Sequence, residues 1–404
     1  MARIEPYRAL RYDTTKVRAP DVLAPPYDVV GPAERARYAG RSAYNAIHLE
    51  LPEPDVVGGL DRYEHAALLL SSWERSGVLL LDDEASLTFY RMTFTDELGV
   101  DRRTTGVVAA LGIDSGRTGQ VLPHEQTIPK DREDRLSLLR ATGVNVSPIW
   151  GLSLAAGLGE LCRAEVARAG ASAFSARDDD GVLHEAWPVF DRDVAERLSA
   201  LAARSPVLIA DGHHRYETAA QFARERREDV GEREGPYDLV LAFVVELAED
   251  ELSVRAIHRL VSGVDPATLR AALAQWFEVS RGPGEVGELQ RAMSAANALG
   301  LLCAEGSYLL APRPKLYAVA EDGLDSSLAK AALLGAGPVT VTYQAGADEV
   351  LRAVTAGEAD AAVLLRPVTV AQIASVADGG RKMEPKSTYF FPKPRTGITF
   401  RPLV

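Results

Sequence analysis

One stretch of the chain encodes a strand, a tight turn and a helix in succession: residues 205–224, SPVLIADGHHRYETAAQFAR. Residues 207–210 are wholly apolar, which is typical of a strand buried inside a sheet. The segment after 215 places apolar residues on one face and charged residues on the other, which predicts a helix. A strand that passes through a glycine turn into a helix brings backbone N–H groups and the positive helix end to one point. The stretch therefore predicts an α/β element with an anion-binding turn.

The turn itself carries an unusual concentration of polar side chains. Gly212 allows close approach of the backbone to a ligand, and His213, His214 and Arg215 add hydrogen-bond donors and positive charge. Asp211 is a candidate to accept a proton or to bind a divalent cation. The alternative is an Asx-type helix cap whose two histidines satisfy local hydrogen bonds. We favour a phosphate-handling site, because two histidines and an arginine after an apolar strand are unusual for a cap.

A second candidate segment is the proline-bounded stretch 123–132, PHEQTIPKDR. Glu125 is a candidate general base, and Lys130 and Arg132 are candidates for binding phosphate. No second histidine follows four residues after His124, so the segment is not a zinc-binding helix. The alternative is a solvated cluster of charges on a connecting loop.

A third candidate segment is residues 382–393, KMEPKSTYFFPK. It holds three of only seven lysines in a chain whose basic residues are otherwise arginine, and this scarcity favours a role for Lys386 and Ser387 in the site. A C-terminal strand that completes a sheet is the alternative. The short stretches 25–28 (PPYD) and 145–148 (NVSP) are candidate polar walls, with plain turns as the alternative.

Helical and strand-like segments alternate along the chain without a fixed repeat, which predicts a mixed α/β (α+β) fold. A polar stretch at 228–236 is a candidate linker. It predicts two domains: residues 1–235, which carry the turn, and residues 236–404, whose C-terminal strands return to the site. The acidic turn 178–181 is expected to be a solvated hairpin tip.

Composition limits the classes of partner. The net charge of −12 and the pI near 5.2 disfavour nucleic acid and anionic membrane surfaces. No apolar run approaches the roughly 18 residues that span a bilayer, so a soluble, cytoplasmic protein is expected. The chain also lacks the Walker A, Rossmann, protein-kinase and Gly-x-Ser-x-Gly motifs. Any nucleotide must therefore bind to a different cradle.

Four strings together resemble one protein family: APPYDVV at 24–30, PHEQTIPKDREDRLSLLRATGVNVSPIWG at 123–151, VLIADGHHRYETA at 207–219 and KMEPKSTYFFPKPRTGI at 382–398. They are similar to a bacterial and archaeal family catalogued as domain of unknown function 1015. The Asp-Gly-His-His-Arg turn also resembles the ParB/sulfiredoxin-like superfamily, which includes kinases for free L-serine. This resemblance implies a ParB/sulfiredoxin-like core with a large additional α/β portion. It also implies that the turn holds nucleotide phosphates and that Glu125 acts on the substrate hydroxyl.

The leading hypothesis is a kinase that phosphorylates a small molecule, with a free amino-acid hydroxyl as acceptor, L-serine foremost, ATP or ADP as donor and Mg²⁺ as cofactor. Its predicted catalytic residues are Glu125, Asp211, His213 and His214, with Asp211 also as metal ligand. Its predicted nucleotide-binding residues are Gly212, His213, His214, Arg215, Lys130, Arg132, Lys386 and Ser387. Two alternatives stay open: a phosphoester hydrolase, and a ParB-like nucleotide-binding switch without transfer activity. No nucleic-acid or membrane partner is expected, and a homodimer is compatible with each hypothesis.

Overall fold

The computed structural model describes residues 2–403 except 97–98, 114–118, 123–128, 232–233, 321, 379–382 and 385. The chain divides into two compact units. Unit 1 consists of Met1–Ser253 together with Pro392–Val404, and unit 2 is Val254–Phe391. Both units combine helices with sheets, which confirms the mixed α/β class predicted from the sequence.

The strands are β1 Ile4–Glu5, β2 Leu10–Tyr12, β3 Leu79–Leu81, β4 Leu87–Thr95, β5 Asp101–Gly112, β6 Val121–Leu122, β7 Val144–Asn145, β8 Ile149–Ser153, β9 Phe174–Arg177, β10 Leu183–Val189, β11 Val207–Asp211, β12 Leu239–Glu246, β13 Ser253–Arg255, β14 Ile257–Ser262, β15 Phe277–Arg281, β16 Leu299–Cys303, β17 Gly306–Pro312, β18 Thr340–Ala345, β19 Ala361–Leu364, β20 Tyr389–Phe391 and β21 Arg401–Pro402. The helices are α1 Ala19–Val22, α2 Pro32–Ala39, α3 Ile47–Glu50, α4 Arg62–Arg75, α5 Pro129–Thr142, α6 Leu158–Ala169, α7 Arg192–Ala202, α8 His213–Val230, α9 Pro266–Leu273, α10 Val286–Ala296, α11 Pro314–Tyr317, α12 Asp325–Leu334, α13 Ala347–Thr355 and α14 Val370–Asp378.

Unit 1 is built on a mixed sheet with the strand order β6-β11-β8-β12-β5-β4-β10-β9, in which β1 also pairs with β5. Strand β12 lies in the middle, parallel to β8 and antiparallel to β5. Its sequence, LVLAFVVE, is apolar up to the last residue because both faces of a central strand are covered. Helices α6, α7 and α8 contribute to the same core cluster as these strands.

Strand β11 places the predicted turn at one end of this sheet. It pairs with β6 in parallel and with β8 antiparallel, and its pairing with β8 shifts register between Ile209 and Asp211. A register shift of this kind re-aims the side chain that follows it. Asp211 ends the strand, and α8 begins two residues later. The predicted strand, turn and helix are therefore present.

Unit 2 has a separate sheet with the strand order β15-β17-β16-β19-β14-β18. All of its ladders are antiparallel, and β18 lies at one edge. Leucines and alanines of α12 share one apolar cluster with β14, β16 and β19, and α10 and α13 contribute to a second cluster.

Two expectations about surface segments need correction. The candidate linker at 228–236 begins inside α8, which continues to Val230 and ends at Gly231 in the left-handed conformation. The hairpin tip at 178–181 is a turn, but the side chain of Asp178 is only 6% exposed rather than solvated, because Arg395 and His184 bind it. The sequence predicts two domains, residues 1–235 and 236–404, each of which would fold independently. This division stays a prediction.

Candidate functional site

Gly212 determines the shape of the turn. It lies at the N-cap of α8 with φ 91°, in the left-handed region that favours glycine. A Cβ at this position would come within 3.0 Å of Nε and 3.1 Å of Cζ of Arg215, which folds back over the turn. The glycine also has no side chain that could cap the N–H groups of the first helical turn. The turn therefore brings an arginine and an uncapped helix start to the same place.

Asp211 is held between two cations. Its Oδ2 accepts from Nη2 of Arg215 at 2.7 Å, and its Oδ1 lies 2.7 Å from Nζ of Lys393. Burial alone would raise the pKa of Asp211, but the charges of Lys393 and Arg215 outweigh it and hold the pKa well below its ordinary value. Asp211 is therefore a carboxylate at neutral pH.

Lys393 bridges two carboxylates, because its Nζ also lies 2.5 Å from Oδ2 of Asp28. The lysine side chain is only 9% exposed, and burial alone would lower its pKa. The two aspartates outweigh this effect and raise the pKa, so the ammonium keeps its charge. Lys393 belongs to the C-terminal part of unit 1, far from Asp28 and Asp211 in sequence.

Arg215 connects the turn to a buried polar layer. Its Nη1 donates to the carbonyl of Pro148, and its side chain is only 9% exposed. Its Nε is buried and has no hydrogen-bond partner among the described residues. Burial alone would lower its pKa, but nearby carboxylates, Asp211 foremost, raise it.

Glu50 is the carboxylate of that layer. Its Oε1 accepts from the backbone N–H of Tyr27 at 3.1 Å and from Oγ of Ser147 at 3.0 Å. Its Oε2 is buried, and no described residue donates to it. Glu50, Arg135, Ser147 and Arg215 line a cavity of about 50 Å³, which is large enough for water. A buried carboxylate oxygen and a buried guanidinium nitrogen thus both lack partners at the same small cavity.

The two histidines lie at the start of α8. His213 is buried, and Nδ1 of His214 lies 3.5 Å from the hydroxyl of Tyr27. The guanidinium of Arg135 lies over the ring of Tyr27, 4.4 Å from its centre. Burial raises the pKa of Tyr27 to about 12, so its hydroxyl keeps its proton at neutral pH. Tyr27 therefore faces the turn as a neutral hydrogen-bonding group.

The structure brings several of the predicted site residues together at the turn. Asp211, Gly212, His213, His214 and Arg215 form the turn. Nη1 of Arg132 lies 3.8 Å from Oε2 of Glu217 in α8. Lys130 lies in α5, where only its backbone is described, and Glu125 lies outside the described residues. Lys386 and Ser387 belong to unit 2, where Oγ of Ser387 lies 2.8 Å from Oγ of Ser326.

The sequence did not single out every residue of the site, and some of them were predicted only as part of a candidate polar wall. Tyr27 and Asp28 come from the PPYD stretch, and Ser147 comes from the NVSP stretch. The scarcity of lysine pointed to the segment 382–393, which holds Lys393 as well as the predicted Lys386. Glu50 lies in an ordinary amphipathic context, and no sequence signal distinguished it.

The described residues do not fit a protein-held Mg²⁺. Among them, no three His, Cys, Asp or Glu side chains are grouped so that they could hold a metal ion. Both carboxylate oxygens of Asp211 already accept from cations, so a metal ion would have to displace Lys393 or Arg215. The predicted role of Asp211 as a metal ligand stays a prediction.

A family model described as "Protein of unknown function (DUF1015)" matches residues 4–358. No curated protein matches the chain. Among solved structures, "Free serine kinase in complex with AMP" is similar with 15% identity and a TM-score of 0.36, over 70% of this chain and 86% of the kinase. A C-terminally truncated SbnI from Staphylococcus aureus is similar with 13% identity and a TM-score of 0.40, over 73% and 87%.

A conserved hypothetical protein from Pyrococcus furiosus is similar with 14% identity and a TM-score of 0.36, over 69% of this chain and 90% of that protein. With TM-scores below 0.5, these likenesses are too distant to carry an activity over to this chain. In the part of the chain that the structure describes, no helix is long and apolar enough to span a bilayer.

Proposed function

The chain belongs to the family described as Protein of unknown function (DUF1015), and from that premise we propose that it is a nucleotide-dependent kinase. Its acceptor is the hydroxyl of a free amino acid, with L-serine foremost, and its donor is ATP or ADP supplied with Mg²⁺. The observation that carries the proposal is the convergence of Arg215 and Lys393 on Asp211 at the uncapped start of α8.

The charges at the turn suit phosphoryl transfer, which needs mainly positioning and charge neutralisation. A phosphate at the start of α8 would meet the positive helix end and the guanidinium of Arg215. Lys393 is already charged and buried, so it would neutralise an incoming phosphate oxygen without a change of protonation. The proposed nucleotide-binding residues are therefore Gly212, His213, His214, Arg215 and Lys393.

Two glutamates are candidates for the proton acceptor. Motif resemblance favours Glu125, and the unpartnered buried Oε2 favours Glu50. In the proposed step the acceptor oxygen bonds to the terminal phosphorus, while the bond from that phosphorus to the bridging oxygen breaks. The hydroxyl proton passes to the glutamate, and the nucleotide product, ADP from ATP or AMP from ADP, leaves with the bridging oxygen. Replacing each glutamate separately distinguishes the two candidates.

The proposal is tested by incubating the purified chain with L-serine and either Mg-ATP or Mg-ADP, and measuring O-phosphoserine by mass spectrometry. We expect product with the wild type and a loss of at least about 100-fold in the Asp211→Asn variant, because its charge orients both cations. A comparable loss in either Glu50→Gln or Glu125→Gln identifies the base. Glu288→Gln, on α10 of unit 2, is the matched control and keeps full activity.

The same assay separates the two alternatives. Nucleotide binding in a thermal-shift screen, lost in Asp211→Asn but accompanied by no phosphorylated amino acid, would support a nucleotide-binding switch. Phosphate release from a generic ester without nucleotide would support a hydrolase. Either result, with no amino acid accepted from the standard twenty, overturns the kinase proposal.

A further inference from the structure

Unit 2 contains a pocket of about 370 Å³ between helix α12 and the edge strand β18. Its volume and its mixture of apolar walls with a few polar groups are typical of sites for small molecules. The residues that line it are Arg259, Ser326, Lys330, Leu333, Leu334, Gly337, Val339, Val341, Tyr343 and Glu384. All of them belong to unit 2. The pocket is therefore a feature of that unit by itself, and none of its residues is assigned a role in the proposed kinase reaction.

Arg259 is the buried cation of this pocket. It lies on β14 directly opposite Tyr343 of β18 and is only 5% exposed. Its Nη1 donates to the carbonyls of Ile257 at 2.7 Å and Lys386 at 3.2 Å, and its guanidinium lies 4.7 Å from the centre of the Tyr343 ring. The described residues supply no hydrogen bond to its Nε or Nη2.

Arg259 also has no ion pair among the described residues, which sets it apart from Arg366, a partly buried arginine of the same unit. Arg366 binds the carboxylate of Asp325 through Nε at 2.9 Å and Nη2 at 2.5 Å. Burial of a charge is costly unless an opposite charge compensates it. Burial lowers the pKa of Arg259, whereas Asp325 raises that of Arg366. The described carboxylate that lines this pocket, that of Glu384, pairs with Lys330 and is only a lesser influence on the pKa of Arg259.

The other residues that line the pocket indicate what the rest of a ligand would look like. Leu333 of α12 and Val341 of β18 belong to or pack against the apolar cluster of the unit, so an apolar group would be buried against them. Oγ of Ser326 lies beside this wall, and Lys330 is already neutralised by Glu384 at 2.7 Å. The net unpaired charge of the pocket is therefore positive and is carried by Arg259.

We propose that this pocket binds a small organic carboxylate with an apolar body. The carboxylate pairs with the unused N–H groups of Arg259, which suit its planar geometry, and the apolar body lies against Leu333 and Val341. This inference does not rest on the kinase proposal, because its residues and its ligand are separate from those of the Asp211 turn.

The test uses biphenyl-4-carboxylate as probe and calorimetric titration of the full chain. We expect the neutral isostere biphenyl-4-carboxamide to bind at least about tenfold more weakly, because it lacks the charge-assisted hydrogen bonds. Arg259→Met should remove this preference, and Val341→Trp, which fills the pocket, should weaken both probes. Arg291→Met and Val57→Trp, at exposed positions, are the matched controls and leave binding unchanged.

Equal affinity of the wild type for the two probes overturns the proposal, and so does unchanged binding in Val341→Trp. Circular dichroism checks that each variant is folded. If Arg259→Met does not fold, Arg259→Lys replaces it, and we expect a loss of at least about fivefold for the carboxylate, because lysine cannot form the bidentate pair. The comparison of the two probes on the wild type is decisive without any variant.

Discussion

Lys393 binds two carboxylates at once, Asp211 at 2.7 Å and Asp28 at 2.5 Å. A compact ammonium with three donors suits this position better than a planar guanidinium, which favours a bidentate pair with one carboxylate. Arg215 takes the other oxygen of Asp211. At the residue scale, the site is thus a chain of alternating charges that runs from Asp28 through Lys393 and Asp211 to Arg215.

The Lys393→Met variant tests this chain of charges. We expect it to lower the free energy of unfolding by about 2 kcal/mol, because Asp211 loses one of its two cations at a largely buried position and the more exposed Asp28 loses its partner. Adding Asp28→Asn should restore part of the loss, since it removes one of the two stranded carboxylates. The measurement is urea unfolding followed by circular dichroism.

Lys16→Met is the matched control, because Nζ of Lys16 donates only to the backbone carbonyls of Ser76 and Gly77 at exposed positions. We expect a change below about 1 kcal/mol in this control. Equal effects of the two lysine substitutions would contradict a structural role of Lys393 between the aspartates.

At the scale of an element, the hairpin of β9 and β10 shows how one carboxylate of an acidic turn, that of Asp178, can be buried. Oδ2 of Asp178 accepts from Nε of Arg395 at 2.7 Å and lies 2.9 Å from Nε2 of His184. The hydroxyl of Tyr90 lies 2.6 Å from the other ring nitrogen of His184. The four residues at 178–181, Asp-Asp-Asp-Gly, indicated a solvated tip because acidic side chains in a turn ordinarily lie in water. Arg395 comes from the C-terminal segment, more than 200 positions away.

Because of the buried carboxylate in this hairpin, we expect the free energy of unfolding to depend on pH in the acidic range. Burial would raise the pKa of Asp178, but the hydrogen bond with His184 and the charge of Arg395 outweigh it and lower the pKa to about 2. A carboxyl whose pKa is lower in the folded than in the unfolded chain stabilises the fold above the unfolded value of 3.8 and loses this effect as the pH falls toward 2. The full contribution is about 2 kcal/mol, of which about 1 kcal/mol is lost by pH 3.

We therefore expect the free energy of unfolding to fall more between pH 5 and pH 3 in the wild type than in Asp178→Asn, by about 1 kcal/mol. His184 is fully buried; burial lowers its pKa and Asp178 raises it, so Asp178→Asn also moves this second titration. The same pair of proteins compared in a His184→Phe background separates the two effects. Asp229→Asn, at an exposed helix end, is the control. A parallel pH dependence of wild type and Asp178→Asn would refute the role of this carboxylate.

At the scale of the whole molecule, the chain leaves unit 1 after Ser253 and returns to it at Pro392. The returning segment supplies Lys393 and Arg395 to the places described above. Strand β12 lies between β8 and β5 in the middle of the sheet of unit 1. The division predicted from the sequence, at 235/236, assigns β12 to the second domain. The division into compact units assigns it to unit 1.

Fragments distinguish the two divisions. We expect a fragment of residues 1–235 to show no cooperative unfolding, because it lacks β12 and thereby exposes the neighbouring edges of β5 and β8. A chain in which a short glycine-serine linker replaces 254–391 should keep a cooperative transition and nucleotide binding. Circular dichroism during urea unfolding measures both. Cooperative folding of 1–235 by itself would instead support the domains predicted from the sequence.

The sequence alone determined the local order of strand, glycine turn and helix at 207–230 and the mixed α/β class, because these follow from periodicity and turn chemistry over a few residues. It also singled out Asp211 to Arg215 and, less sharply, the stretches that hold Tyr27, Asp28 and Ser147. Only the tertiary structure decided that Lys393 joins the turn, that Glu50 lies beside it and that Asp178 is buried. Each of these depends on an ion pair or hydrogen bond between residues tens to hundreds of positions apart, such as the 365 between Asp28 and Lys393. Side-chain types at such separations carry no periodic signal, so only packing of the sheet and the return of the chain bring them together.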